Sequence, residues 1–200
     1  IGNLYKEVWP LDFKGNVQKD QSFQNSLKTN EDENPSFEII KSFAEQILAS
    51  KDVEGLKQVI ISRMDIDKII PLIVVDRVIR NDDGPFHWYC DEFDNCTNHN
   101  YYWYEEPSTK KLYLIPWDLD NAFENIVFSL NPVTPIADGW GETTNNCEPF
   151  EFGAWNIKQW SASCDKLTQG WVYFSDEFLN YKELFKASAF SENQIDDLIN

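Results

Sequence analysis

Two hundred residues make one domain of ordinary size or a large piece of one. A globule of that length buries on the order of 70% of its unfolded surface and needs no metal or disulfide merely to hold a core. The composition, 42% hydrophobic and 26% charged, is that of a folded chain, and 34 acidic against 17 basic residues leave a net charge of −17, which argues against binding to phosphate backbones or anionic lipid.

Residues 1–34 are polar, with Gly, Asn and charges but no sustained period, and read as loop with short turns of helix. No apolar strand bearing a Lys is expected before residue 35, nor a Gly-rich phosphate loop. Ser36 then precedes Phe37, Ile40, Phe43, Ala44, Ile47 and Leu48, the stripe of an amphipathic helix. A second helix is predicted from Val53 to Ser62 with Asp52 as its cap. Asp65 or Asp67 caps a third, which runs through Ile69, Ile70, Leu72, Ile73, Val74, Val75, Val78 and Ile79. Being apolar nearly all round, it reads as a buried central helix, with Pro71 in its early turns.

After Arg80 the pattern breaks into a loop rich in Asp, Asn and Cys. Tyr101-Tyr102-Trp103-Tyr104 and Leu112-Tyr113-Leu114-Ile115 flank a turn at Pro107-Ser108-Thr109 and predict a β-hairpin. Residues 125–170 read as irregular, with Trp140, Trp155 and Trp160, and a loop of that length is usually functional. Helical periodicity returns over Ser175–Phe190, and Ser191 with Gln194 predicts a capping box for a last helix. The fold class is α+β: mostly helical, with a small antiparallel sheet. A chain running from Ile1 to Asn200, its last residue inside a helical pattern, is expected to be trimmed at both ends.

Four cysteines permit three pairings. Cys90–Cys96 would close a small loop worth roughly 2 kcal/mol, and Cys147–Cys164 a longer one worth roughly 3; four unpaired buried thiols are the alternative. No CxxC or Cys/His spacing supports zinc. Asn95-Cys96-Thr97 is an N-glycosylation sequon inside the first of those loops. Together these features predict an extracellular or cell-surface protein, and no apolar run is long enough to span a bilayer.

The acidity is concentrated. Residues 81–125 hold ten acids (Asp82, Asp83, Asp91, Glu92, Asp94, Glu105, Glu106, Asp118, Asp120, Glu124) and two bases (Lys110, Lys111), a net −8. The same stretch is dense in Trp and Tyr, so it is a better candidate for a cation site than for a solvated tail. If the second hairpin strand continues through Pro116-Trp117-Asp118-Leu119-Asp120, both carboxylates share a face. They then repel unless a proton or cation lies between them, and oxygen ligands suit Mg²⁺ or Mn²⁺, with Ca²⁺ a third candidate. The alternative is one Asp capping a helix from Asn121 and the other solvated.

Asn81-Asp82-Asp83-Gly84 follows directly on the central helix, and the hairpin should bring Asn100 beside Asp118. An Asp in a loop, an Asn before a strand and an Asp after the paired strand is the order of parts in kinase phosphoryl transfer: base, metal-binding Asn, metal-binding Asp. His87 and His99 have no Cys or Ser at hydrolase-like spacing and read as structural.

Gly2-Asn3-Leu4-Tyr5-Lys6, Asn81-Asp82-Asp83-Gly84, His99-Asn100-Tyr101-Tyr102-Trp103-Tyr104 and Pro116-Trp117-Asp118-Leu119-Asp120 together resemble the spore-coat protein CotH family. The resemblance covers roughly Gly2 to Ile195. It implies an atypical protein-kinase fold, secretion or surface location, and phosphorylation of Ser/Thr in a secreted or surface protein with ATP and a divalent metal. It implies Asp83, or its neighbour Asp82, as the catalytic-loop Asp. Asn100 and Asp118 become metal ligands, with Asp120 near the same metal. The chain would then be the C-terminal lobe, with the N-terminal lobe of its own domain as a partner. A non-catalytic extracellular matrix or adhesion module on the same fold is the other expectation. The long span from Asp83 to Asn100, with Cys90 and Cys96 inside it, predicts an insertion beside the active site.

Overall fold

A computed structural model describes residues 1–81, 83–123, 146–152, 157–189 and 191–199. Asp82, Glu124, Trp140 and Trp155 lie outside the described residues. The architecture is α+β, with helices packed around two small antiparallel sheets.

The helices follow the sequence closely. The first, α1 (Asp20–Ser26), is short; α2 spans Glu38–Ala49, α3 Val53–Arg63 and α4 Ile66–Val78. Asp52 accepts from Gly55 N at 2.8 Å and Asp65 from Asp67 N at 3.2 Å, so two acids satisfy N–H groups left open by the first helical turn. Toward the end of the chain come α5 (Lys166–Val172), α6 (Ser175–Ser188) and α7 (Glu192–Ile199). Before α7 the Ser191 hydroxyl donates to Ser188 O. In α4, Ile69, Ile70, Ile73 and Val74 are buried. The helix is not enclosed on every side: Pro71, Leu72 and Val75 face an apolar groove of 260 Å³ closed by Pro116 and Leu119.

The first sheet has the order β1-β4-β5, with β1 Leu4–Lys6, β4 Tyr101–Glu106 and β5 Lys111–Pro116. The expected hairpin forms with Tyr101 opposite Pro116 and Glu106 opposite Lys111. Burial alternates along β4, so Tyr101, Trp103 and Glu105 face inward while Tyr102 and Tyr104 face outward, the period-2 pattern of a half-buried strand. The amino-terminal segment departs from the sequence reading. It contains β1, which is a strand and ends in a lysine, Lys6, paired with Tyr102. A three-residue edge strand leaves no periodic signal, and its partner is about a hundred residues away.

The span between Asp83 and Asn100 also departs from a plain loop. It holds β2 (Trp88–Cys90) and β3 (Cys96–Asn98), which join β6 (Phe150–Phe152) and β7 (Ile157–Trp160) in a second sheet of order β3-β2-β7-β6. The described part of the 125–170 stretch is therefore ordered as strand, a 3-10 turn (Ala162–Cys164) and helix. Both disulfides lie here: Cys90–Cys96 clips the β2–β3 hairpin, and Cys147–Cys164 ties the approach to β6 to the turn before α5. No cysteine is free.

Trp9 joins the layers. Its ring meets Tyr101 and Trp103 of the first sheet, Trp88 of the second and Trp171 of α5, edge to face at 5.3–5.9 Å. Such contacts add to the area these rings bury. Both sheets and α5 thus meet around one side chain. No described helix is long and apolar enough to cross a membrane.

Candidate active site

The loop after α4 is anchored from below. Asp76 is buried on the last turn of α4, where Arg77 Nη2 donates to its Oδ2 at 2.6 Å and Asn81 Nδ2 to its Oδ1 at 3.1 Å. Burial pushes the Asp76 carboxyl up, against the pull of Arg77 and Asn81. Arg77 also lies over the Phe86 ring, and the enclosed His87 is held well below the usual imidazole range by burial and by Arg77. A charged group this deep is tolerated only when paired, so the network fixes where Asn81 leaves the helix. His87 belongs to this buried support, as the sequence suggests.

Asp83 stands on that support. Asn100 Nδ2 donates to Asp83 O at 2.8 Å and to Asp83 Oδ2 at 2.9 Å, and Asn121 Nδ2 reaches the same Oδ2 at 3.4 Å. Asn100 is in turn clamped: its N–H donates to Glu7 Oε1 at 3.2 Å, and its carbonyl accepts from Trp117 N at 3.0 Å. The residue after Trp117 is Asp118, so the hairpin does bring Asn100 beside Asp118. Asn100, Asp118 and Glu7 have φ of 60°, 51° and 53°. Left-handed backbone at non-glycine residues costs on the order of 1–3 kcal/mol each and tends to collect at functional sites.

The two acids of the Trp-Asp-Leu-Asp segment meet by a route the strand period does not give. The strand ends at Pro116, Asp118 takes its positive φ, and residues 120–123 form a turn rather than the start of a helix. Asp120 lies close enough to push the Asp118 carboxyl up through its charge and a hydrogen bond; partial desolvation and Asp83 add to this, and Lys6 opposes it. The structure thus brings Asp83, Asn100, Asp118 and Asp120 together. Lys6, Glu7 and Asn121 join them and were not singled out from sequence. The adjacency of Asn121 to Asp120 and the presence of Lys6 in the Gly2–Lys6 element are usable signals; the placement of Glu7 depends on a pairing that leaves none.

Among the described residues no three or more His, Cys, Asp or Glu side chains form a metal-holding group. A small hard cation such as Mg²⁺, however, is commonly held by one or two carboxylates and fills its shell with water and phosphate oxygens. The mutually repelling Asp118 and Asp120, beside an Asn100 whose amide nitrogen is already engaged by Asp83 and therefore leaves its oxygen as the acceptor, fit that demand.

Several of the remaining described acids of the 81–125 stretch have local duties. Asp91 accepts from Phe93 N and Asn95 N in the β2–β3 turn, Asp94 pairs with Lys158 at 2.7 Å, and Glu106 accepts from Thr109 in the hairpin turn. Glu105 is buried on the inner face of β4. The concentration of charge is therefore only partly a site. Asn95 is exposed in the disulfide-closed turn, next to Cys96, its side-chain amide on Asp91.

A helical body, a clamped loop carboxylate and a facing pair of acids after a hairpin are consistent with a kinase-like fold. The family model described as CotH kinase protein matches residues 2–200, and the chain belongs to that family. Membership brings a kinase-type function and the use of ATP at the level of the family. No curated protein and no solved structure matches the chain.

Proposed function

We propose that this protein transfers the γ-phosphoryl group of ATP to Ser or Thr hydroxyls of a secreted or surface protein. The observation that carries the reading is the double hydrogen bond from Asn100 to Asp83, made by a residue whose carbonyl is bonded to the residue before Asp118. One amide thereby couples the two halves of a phosphoryl-transfer site.

Asp83 is assigned as the group that receives the hydroxyl proton, and Asp82 beside it is the alternative carboxylate. The hydroxyl oxygen forms a bond to the γ-phosphorus, the bond from that phosphorus to the β–γ bridging oxygen breaks, and ADP leaves with the electron pair. Asn121 and Asn100 orient the Asp83 carboxylate so that its other oxygen faces the acceptor. Asn100 Oδ1, Asp118 and Asp120 would hold Mg²⁺ or Mn²⁺, whose chemistry is to neutralise charge on the β- and γ-phosphate oxygens. Two disulfides and the exposed sequon Asn95 support a location outside the cell, where such bonds persist and such sites are glycosylated.

The test is phosphate transfer from γ-labelled ATP to a Ser/Thr-rich protein, with Mg²⁺ or Mn²⁺, by the full-length protein. Transfer should be lost in Asp118→Ala and fall at least about a hundredfold in Asp83→Ala. A folded full-length protein that neither transfers phosphate nor binds nucleotide would overturn the reading and leave a binding module on the same fold.

A further inference from the structure

Lys6 brings a positive charge to this site, where it opposes the rise of the Asp118 carboxyl. It ends β1, and because Tyr5 before it points into the core, its own side chain emerges on the outer face of the sheet, opposite Tyr102. From there the ammonium group lies 5.8 Å from the centre of the Trp117 ring and 3.9 Å from Glu7 Oε1. Trp117 directly precedes Asp118, and Glu7 holds the Asn100 N–H. The lysine is thus tied through its two neighbours to both sides of the carboxylate cluster.

Neither tie explains it as a structural residue. An ion pair at 3.9 Å between side chains that keep 34% and 30% of their surface in water contributes little, about 0–1 kcal/mol. A cation over a half-exposed indole adds a similar amount. Glu7, for its part, is already engaged by Asn100. The ammonium is therefore held in place but not consumed, on a long flexible stem that can turn toward a ligand. Glu7 and Asp118 lie close enough to feel its charge, and Asp118 is itself pressed by Asp120 and Asp83, so a polyanion arriving there needs positive charge beyond what one divalent cation provides.

We propose that Lys6 binds the phosphate chain of the nucleotide, as a point charge contributed by a strand of this lobe itself. The inference rests on the kinase reading above and adds to it a phosphate-binding residue. It predicts that Lys6 discriminates by phosphate and not by base or sugar: its removal weakens binding of ATP while leaving binding of adenosine as it was.

The experiment is equilibrium binding of ATP and of adenosine, each with Mg²⁺, to the full-length protein and to Lys6→Met, Lys6→Arg and Lys14→Met. The last removes an equal charge from an exposed loop outside the site. Lys6→Met should bind ATP about tenfold more weakly or worse, with adenosine unchanged and a weaker dependence of ATP affinity on salt. Lys6→Arg should recover most of the loss, and Lys14→Met should behave as wild type. A thermal melt reads folding separately, and Lys6→Arg keeps the test decisive if the Met variant is unstable. If wild type binds ATP and folded Lys6→Met binds it equally well, the role of Lys6 is overturned while the kinase reading stands. If Lys6→Met loses ATP and adenosine alike, phosphate recognition is likewise excluded. A wild type that binds neither ligand sinks both proposals.

Discussion

Asn100 Nδ2 donates at once to the main-chain oxygen and to Oδ2 of Asp83, at 2.8 and 2.9 Å, across a span that contains the whole β2–β3 hairpin. Two residues seventeen positions apart are therefore one mechanical unit, with the β2–β3 hairpin between them. Replacing Asn100 by Ala removes both bonds and the orienting amide. Phosphoryl transfer should fall by a hundredfold or more, because proton acceptance depends on the aim of the Asp83 carboxylate. Asn100→Asp makes a sharper probe: it keeps an oxygen for a cation but sets a second negative charge against Asp83 Oδ2. Its nucleotide affinity at saturating metal should stay closer to wild type than that of Asn100→Ala. Equal kcat values for wild type and Asn100→Ala would remove Asn100 from the site.

Much of this unit was legible in the chain because it is built from strong local signals. Asp52 and Asp65 announce helix starts, and the alternation through Tyr101 to Glu105 announces a half-buried strand whose partner follows within a few residues. Once the hairpin is placed, Asn100 must stand beside Asp118. What stayed hidden has a common cause. β1, β2, β3 and β6 are three residues long, too short for a period, and β1 is stabilised by pairing with a strand about a hundred residues later. Lys6 and Glu7 reach the site only through that pairing. Asp118 and Asp120 were paired for the wrong geometric reason, since the strand stops at Pro116 and a positive φ, not alternation, turns the carboxylates together.

Glu105 makes stability depend on pH. It is 2% exposed, accepts from Asn3 Nδ2 at 2.6 Å and Tyr5 OH at 3.0 Å, and faces Arg63. Burial outweighs these partners and pushes its carboxyl up to about 7, while the same burial and the Glu105 charge hold the Tyr5 hydroxyl protonated. The folded state thus binds a proton that the unfolded chain has already released. This contribution is fully present below about pH 4.5 and is lost as pH rises through about 7, at up to about 1.4 kcal/mol per pH unit. Urea unfolding at pH 5, 6, 7 and 8 reads it directly. Glu105→Gln should flatten that part of the slope, and parallel slopes in the two proteins would show that Glu105 does not titrate in this range.

The two disulfides should contribute unequally. Cys90 and Cys96 are six residues apart and Cys147 and Cys164 seventeen, so the second constrains a longer loop of the unfolded chain. Replacing each pair by serines should cost roughly 2 and roughly 3 kcal/mol respectively. The Cys147–Cys164 variant should also be the more damaging to the second sheet, because that bond ties β6 to the turn before α5. A reduced protein with unchanged Tm would contradict both assignments.

Gly84 tests whether the buried Asp76–Asn81 pair positions the loop that carries Asp83. A Cβ at residue 84 would overlap the Asn81 side-chain amide and crowd Asp76 Oδ1 at 2.7 Å, and neither group can retreat, since each is buried and bonded to the other. The adjacent residue is Asp83, so the strain of Gly84→Ala must appear either as lost stability or as a displaced carboxylate. Overpacking of this kind costs about 1–3 kcal/mol. The variant should melt lower, and at temperatures where it is fully folded its kcat should still fall while the KM for ATP changes little, because the groups the new Cβ meets belong to Asn81 and Asp76 and not to Asp118 or Lys6. A variant that melts lower but retains wild-type kcat would mean that the network supports the helix end alone and leaves the aim of Asp83 to Asn100 and Asn121.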